Sequence, residues 1–170
     1  LLGKVRRAGC KTLNLGIESG SDAILKKMAK GYRVADIERS LRQIRAAGIN
    51  TMVNFIVGFP GETEDDFAAT LSLVERMREH ICGVNSINTC ILLLGSPLEK
   101  AKDKLGIVIP TGADPDTGWV QGENTPALRQ ERARRLVTRL EELELPINVS
   151  NLHEKQADVG ALPPLHTPPA

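Results

Sequence analysis

Apolar positions along the chain fall into two alternating rhythms. Thr12-Leu13-Asn14-Leu15-Gly16-Ile17 alternates apolar with small or polar residues, the period of a strand, and breaks at Ser19-Gly20-Ser21. A helix is expected from about Asp22 to Lys30, where Ile24, Leu25 and Met28 hold helical spacing. Ser19 or Ser21 suits its start and Gly31 its end. Val34, Ile37, Leu41 and Ile44 stripe a second helix from Val34 to Ala47, which Gly48 ends. Thr51 to Val57 is nearly all apolar, as in a parallel strand covered on both faces. It runs into Gly58-Phe59-Pro60-Gly61, a turn whose backbone Pro and Gly fix.

Thr63, with Asp66 three residues on, reads as a capping box opening a helix to about Glu79. Glu64, Asp65 and Asp66 suit its positive end, and Phe67, Leu71, Val74 and Met77 share one side. A third strand is expected from about Val84 to Leu94, strongest over Cys90 to Leu94, closed by Gly95-Ser96-Pro97. Leu98 to Leu105 reads as a short helix and residues 106–124 as turn-rich. Thr125-Pro126 opens a last helix, over 126–144, whose stripe is Leu136, Val137, Leu140 and Leu143. Ile147-Asn148-Val149 reads as a short strand, and Pro163-Pro164 and Pro168-Pro169 mark a disordered tail.

Strands starting near residues 12, 51 and 84 alternate with helices. That is the βα rhythm of an α/β fold with a parallel sheet, open or closed into a barrel. No internal repeat is evident. At 170 residues there is room for one domain. The opening Leu1-Leu2-Gly3 reads as the tail of a helix that began elsewhere, so a longer parent protein is expected.

Composition narrows the partners. Apolar residues make up 41% and charged residues 25%, and no apolar run is long enough for a membrane helix. Net charge is +1, although residues 1–50 hold 11 Lys/Arg against 4 Asp/Glu. Most of those cations fall on exposed helix positions, and Tyr32, Phe55, Phe59, Phe67 and Trp119 do not interleave with them. A nucleic-acid partner is therefore not expected. Cys10, Cys82 and Cys90 match neither a disulfide framework nor a metal or cluster spacing, which points to a reducing, cytoplasmic setting. His80, His153 and His166 have no paired spacing, so no metal site is expected.

In parallel α/β folds ligands bind at the carboxyl ends of strands. Two such ends stand out. Glu18, after the first strand, either receives sugar hydroxyls or an ammonium group, or only balances the next helix, and Ser19 reads first as a cap. After the second strand, Gly58 lets a flat ligand approach the backbone. Glu62 either meets that ligand or serves as a helix-entry acid. Asn54, polar on an apolar strand, needs a partner, which is a ligand or another side chain. Cys90 reads as a packing residue.

Gly16-Ile17-Glu18-Ser19-Gly20-Ser21-Asp22, followed by Leu25 to Gly31, resembles the fourth βα unit of radical S-adenosylmethionine enzymes. Phe55-Ile56-Val57-Gly58-Phe59-Pro60-Gly61-Glu62-Thr63-Glu64-Asp65-Asp66-Phe67 resembles their fifth strand and its turn. Leu92 to Ala101 is similar to the sixth-strand segment of members with a cobalamin-binding domain.

The resemblance implies the second half of a partial TIM barrel over residues 1–145, with 146–170 as a short strand and tail. It implies S-adenosylmethionine and a [4Fe-4S] cluster as cofactors, and cobalamin in the members most resembled. The parent would make a 5′-deoxyadenosyl radical and modify an unactivated carbon, by cobalamin-dependent methylation on the first reading. Two alternatives are a methylthiotransferase acting on RNA or a ribosomal protein, and a non-catalytic α/β binding module. By the resemblance, Glu18 and Ser19 hold the ribose or methionine part of the cofactor. Ile56 and Gly58 pack on the adenine, and Leu94 reaches it through backbone groups. Asn54 stands where many members have Gly or Asp, and Glu62 lies one residue past the family's acid. The family's CxxxCxxC motif is missing from these residues, so the cluster ligands and the first half of the barrel would be partners supplied by the parent, and the chain alone would be inactive.

Overall fold

A computed structural model describes residues 1–148 of the chain. The expected tail and Val149 lie outside the described residues. Three parallel strands, β1 (Thr12–Glu18), β2 (Asn50–Val57) and β3 (Gly83–Thr89), form one open sheet in the order β1-β2-β3. Helix α1 (Leu2–Arg7) precedes β1, and α2 (Asp22–Lys27) and α3 (Val34–Ala46) connect β1 to β2. Helix α4 (Glu64–Met77), with a 3₁₀ turn over Arg78–His80, connects β2 to β3. After β3 come α5 (Pro97–Lys100) and α6 (Pro126–Glu142). Ile147 adds a parallel bridge to Val84 on the far side of β3.

The caps explain where the helices start. The Thr63 hydroxyl accepts the Asp66 N–H at 3.1 Å while the Asp66 carboxylate accepts the Thr63 N–H at 3.0 Å, so the expected capping box forms. Ser21, rather than Ser19, caps α2 by accepting the Ile24 N–H. Thr125 caps α6, with Pro126 at its first position.

One face of the sheet carries the core. Thr51, Val53, Phe55 and Val57 of β2 alternate into the helix-covered core with Ile17, Val84 and Ile87. They meet Ile37 and Leu41 of α3, Phe67, Leu73, Val74 and Met77 of α4, and Leu136 and Leu140 of α6. Full burial of a side chain such as Phe55 contributes about 1.5–3 kcal/mol. The other, inner face of β2 (Asn50, Met52, Asn54, Ile56) is only half-buried, because no helix layer covers it. The pattern of Thr51–Val57 had suggested cover on both faces. It gives cover on one.

Two further boundaries differ from expectation. The third strand ends at Thr89, and Cys90 to Leu94 is irregular. Its last link to the sheet is the Cys90 N–H to the Val57 carbonyl, where β2 itself ends, so the apolar run beyond has no strand to pair with. That run instead seeds a small second core of Cys90, Leu92, Ile107 and Trp119, against which Ile56, Phe59 and Leu98 pack. The helix expected over Leu98–Leu105 is one turn, Pro97–Lys100, followed by turns to Gly106. Among the described residues no helix is long and apolar enough to cross a membrane.

Candidate functional site

The carboxyl ends of β1 and β2 lie side by side, with Glu18 registered against Phe55. Glu18 ends β1 with a positive φ of 62°, and the ladder shifts register between Gly16 and Glu18. A non-glycine residue there costs about 1–3 kcal/mol of local strain, a feature common at ligand sites. The carboxylate folds back over Gly16 and pairs with Lys30 at 3.0 Å. It remains on the inner face, with Asn14, Asn54 and Ile56.

Ser19 is fully buried beneath this turn. Its hydroxyl accepts the Ser21 N–H at 3.1 Å and lies 3.4 Å from that of Thr70, and the Gly20 N–H donates to Thr70 at 2.9 Å. A Cβ on Gly20 would fall 2.5 Å from the Ala69 carbonyl oxygen, so only glycine lets the turn sit on α4. Ser19 thus holds the turn's shape and faces away from the open side.

The turn after β2 is held from several directions. Glu62 accepts the Gly58 N–H at 2.7 Å and pairs with Arg132 of α6 at 2.9 Å, both side chains nearly sealed from solvent. Burial pushes the Glu62 carboxyl above its usual range, against the pull of Gly58 and Arg132. Asn124 donates to the carbonyls of Gly58 and Phe59 at 3.0 and 3.3 Å. Lys27 donates to the Gly61 carbonyl at 2.7 Å, and the Gly61 N–H donates to Gln121 at 2.7 Å. Arg129, also buried, lies 3.8 Å over the Trp119 ring and donates to the carbonyls of Thr117, Trp119 and Asn124. Burial lowers its guanidinium to about 10.

Gly58 has a φ of 74°, and a Cβ there would meet Arg129 Cγ at 2.2 Å. Its missing side chain therefore admits Arg129. Burial also pushes the neighbouring Cys90 thiol up to about 12, which keeps it protonated and a packing residue.

The seven expected site residues thus divide. Glu18, Asn54 and Ile56 line the inner face. Ser19, Gly58 and Glu62 are engaged within the chain. Leu94 projects into solvent, 83% exposed, beyond the end of the sheet. Sequence reasoning missed Asn124, Arg129 and Arg132. A signal for the two arginines exists: the buried stripe of α6 runs Arg129, Arg132, Ala133, Leu136, Leu140, so two cations occupy core-facing positions. Among the described residues no group of His, Cys, Asp and Glu could hold a metal ion, so this part of the chain does not fit as the cluster's cradle.

A one-layered parallel βα sheet, bare on its inner face, defines part of a barrel-type α/β fold. A family model described as the radical SAM superfamily matches residues 1–74 of the chain.

Curated relatives include three proteins named tRNA-2-methylthio-N(6)-dimethylallyladenosine synthase. The one from Geobacter sulfurreducens is 48% identical over 71 residues, 41% of this chain and 16% of the relative. That from Anaeromyxobacter sp. (strain K) is 49% identical over 67 residues, 38% and 14%. That from Mycobacterium leprae is 45% identical over 71 residues, 41% and 14%. The match spans only about a seventh of the length of these relatives, 14–16%.

Among solved structures, the archaeal Methanocaldococcus infernus Elp3 superposes with a TM-score of 0.53 at 18% identity, covering 61% of this chain and 24% of that one. The radical S-adenosylmethionine methyltransferase TsrM from Kitasatospora setae, solved with cobalamin and a [4Fe-4S] cluster, gives 0.53 at 24% identity, covering 67% and 24%. These likenesses establish the fold, the partial TIM barrel of radical SAM proteins.

Proposed function

We propose that this chain is the cofactor-facing part of a radical S-adenosylmethionine enzyme that places a methylthio group on an adenosine of tRNA. The observation that carries the reading is the 48% identity over 71 residues with a protein of that name. It favours the methylthiotransferase alternative over cobalamin-dependent methylation, which is supported by the Leu92–Ala101 resemblance alone. An RNA substrate also revises the expectation of no nucleic-acid partner, and the cationic excess of residues 1–50 is compatible with one.

In this reading S-adenosylmethionine and a reduced [4Fe-4S] cluster held elsewhere in the full-length protein supply the 5′-deoxyadenosyl radical. This chain's residues bind and orient. Glu18 receives hydroxyl or ammonium hydrogens, Ile56 gives an apolar contact, and Asn54 gives a carboxamide on the same face. Glu62, Arg129 and Arg132 act as positioning residues that hold the end of β2 rigid under the ligand.

The test is anaerobic incubation of the reconstituted full-length protein with S-adenosylmethionine, a sulfur donor and a tRNA anticodon stem–loop carrying N6-dimethylallyladenosine. Mass spectrometry should show one hydrogen of the base replaced by a methylthio group. An unmodified base together with 5′-deoxyadenosine release would retain the superfamily chemistry and overturn the substrate.

A further inference from the structure

The backbone of the turn Gly58-Phe59-Pro60-Gly61 is gripped by four side chains, Lys27, Glu62, Gln121 and Asn124. Glu62 accepts the Gly58 N–H, Gln121 accepts the Gly61 N–H, and Lys27 donates to the Gly61 carbonyl, each at 2.7 Å. The carbonyls of Gly58 and Phe59 are both taken by one group, Asn124 Nδ2, at 3.0 and 3.3 Å. Gly58 is where this hold matters. Its φ of 74° suits glycine, and glycine is also the residue with the most backbone freedom, so its geometry has to be set from outside. Glu62 holds its N–H and Asn124 its C=O, which fixes the peptide group on either side of it.

Asparagine at 124 answers a specific demand. Two successive carbonyl oxygens need two donors from one place, and a carboxamide nitrogen carries two hydrogens beside one acceptor oxygen. Arg129 decides which way that amide faces. A guanidinium only donates, and its Nη1 lies 3.1 Å from Asn124 Oδ1 and 3.3 Å from the Asn124 carbonyl, so the amide nitrogen must face the turn. Asn124 is itself buried, and two backbone hydrogen bonds with Gln121, at 2.9 and 3.0 Å, lock its main chain. Arg129 is held in turn by the carbonyls of Thr117 and Trp119 and by the Trp119 ring. The same strap, residues 107–124, supplies Ile107 and Trp119 to the second core, against which Ile56 and Phe59 pack. Asn124 thus sets the backbone, and its neighbours the side chains, at the end of the strand that carries Ile56.

We propose that Asn124 is a positioning residue for the cofactor site: its amide, aimed by Arg129, fixes the peptide groups around Gly58 and so the place of Ile56 beneath the ligand. The proposal rests on the reading above that this end of the sheet receives S-adenosylmethionine. Asn124 touches no ligand and acts only through the turn.

The test uses the full-length protein with S-adenosylhomocysteine as the probe, followed by calorimetry well below the melting temperature. Asn124→Asp keeps an acceptor for Arg129 and removes both amide hydrogens, so it should weaken binding about fivefold, the worth of one hydrogen bond. Asn124→Ala removes the acceptor as well and should lose at least as much. Both variants lower the melting temperature, so a destabilised control is set beside them. Leu140→Val, in the same helix as Arg129 but in the main core, loosens packing without touching the turn and should bind as wild type does. Arg129→Lys leaves Asn124 whole but frees its amide to turn. It should weaken binding by less, and it decides the matter if neither Asn124 variant folds. Wild-type affinity in the folded Asn124 variants, or in Arg129→Lys where neither folds, overturns the inference. So does an equal loss in Leu140→Val, which would make the effect one of general stability. A wild-type protein that does not bind S-adenosylhomocysteine overturns instead the reading on which the proposal rests.

Discussion

Two glutamates stand at the carboxyl ends of successive strands, Glu18 as the last residue of β1 and Glu62 in the turn five residues past β2, and they live in opposite environments. Glu62 is sealed between β2 and α6, with Arg132 and the Gly58 N–H as its partners. Glu18 lies on the bare face with one partner, Lys30, whose side chain is 33% exposed. The difference comes from the chain that follows each turn. Helix α6 returns across the β2 turn and brings Arg129 and Arg132 with it, whereas the β1 turn is sealed only from below, by α4. An acid at a strand end is therefore part of the scaffold when a later element closes over it. It stays on the open face when none does.

The largest effect should come from opening the closed turn. Glu62→Ala leaves the buried Arg132 guanidinium with only the exposed Glu64 carboxylate, 3.6 Å away, and breaking such a buried pair from one side costs about 3–5 kcal/mol. Thermal unfolding of the full-length protein should shift accordingly, and a loss below about 1 kcal/mol would mean that Arg132 finds other partners. Replacing both partners together, with Glu62→Gln and Arg132→Met, should restore much of the loss.

Gly58→Ala probes the same turn from its backbone. The left-handed φ and the contact with Arg129 Cγ both oppose a methyl group, and strain plus overpacking amount to about 2–4 kcal/mol. Adding Arg129→Ala removes the steric part but not the φ strain. If the double variant, compared with Arg129→Ala alone, still loses the full amount, the glycine serves the backbone angle and not the arginine.

These contrasts mark what the sequence made legible. Period and caps located β1, β2, α3, α4 and α6 nearly to the residue, because Thr63, Asp66, Thr125 and Pro126 act within one turn of their own helix. Cys90 to Leu94 misled for the opposite reason. An apolar run has strand propensity, but a strand needs a neighbour, and β2 ends at Val57. The roles of the glutamates were equally hidden. Arg132 is 70 residues from Glu62, and nothing local to the Gly-Phe-Pro-Gly-Glu turn says that it arrives. The hydrogen bonds from Asn85 to Asn54 and from Asn54 to Asn14 also depend on register, which the letters do not state.

The smallest effect on stability and the most telling one on function belong to Glu18. Its ion pair with Lys30 is partly solvated, so Glu18→Gln should change stability by no more than about 1 kcal/mol. Glutamine keeps one acceptor and the same length, and it faces the same backbone strain at a φ of 62°. What it loses is the charge, which matters to Lys30 for stability and to ligand affinity only if hydroxyl or ammonium hydrogens point at it. On the full-length protein, S-adenosylmethionine affinity should then fall roughly tenfold while the melting temperature stays near wild type, since a hydrogen bond to a charged acceptor is worth more than one to a neutral amide. The same exchange at Glu62 should do the reverse, moving the melting temperature first. Equal behaviour of the two variants would erase the distinction between the closed turn and the open one, and unchanged affinity in Glu18→Gln would take Glu18 out of the site.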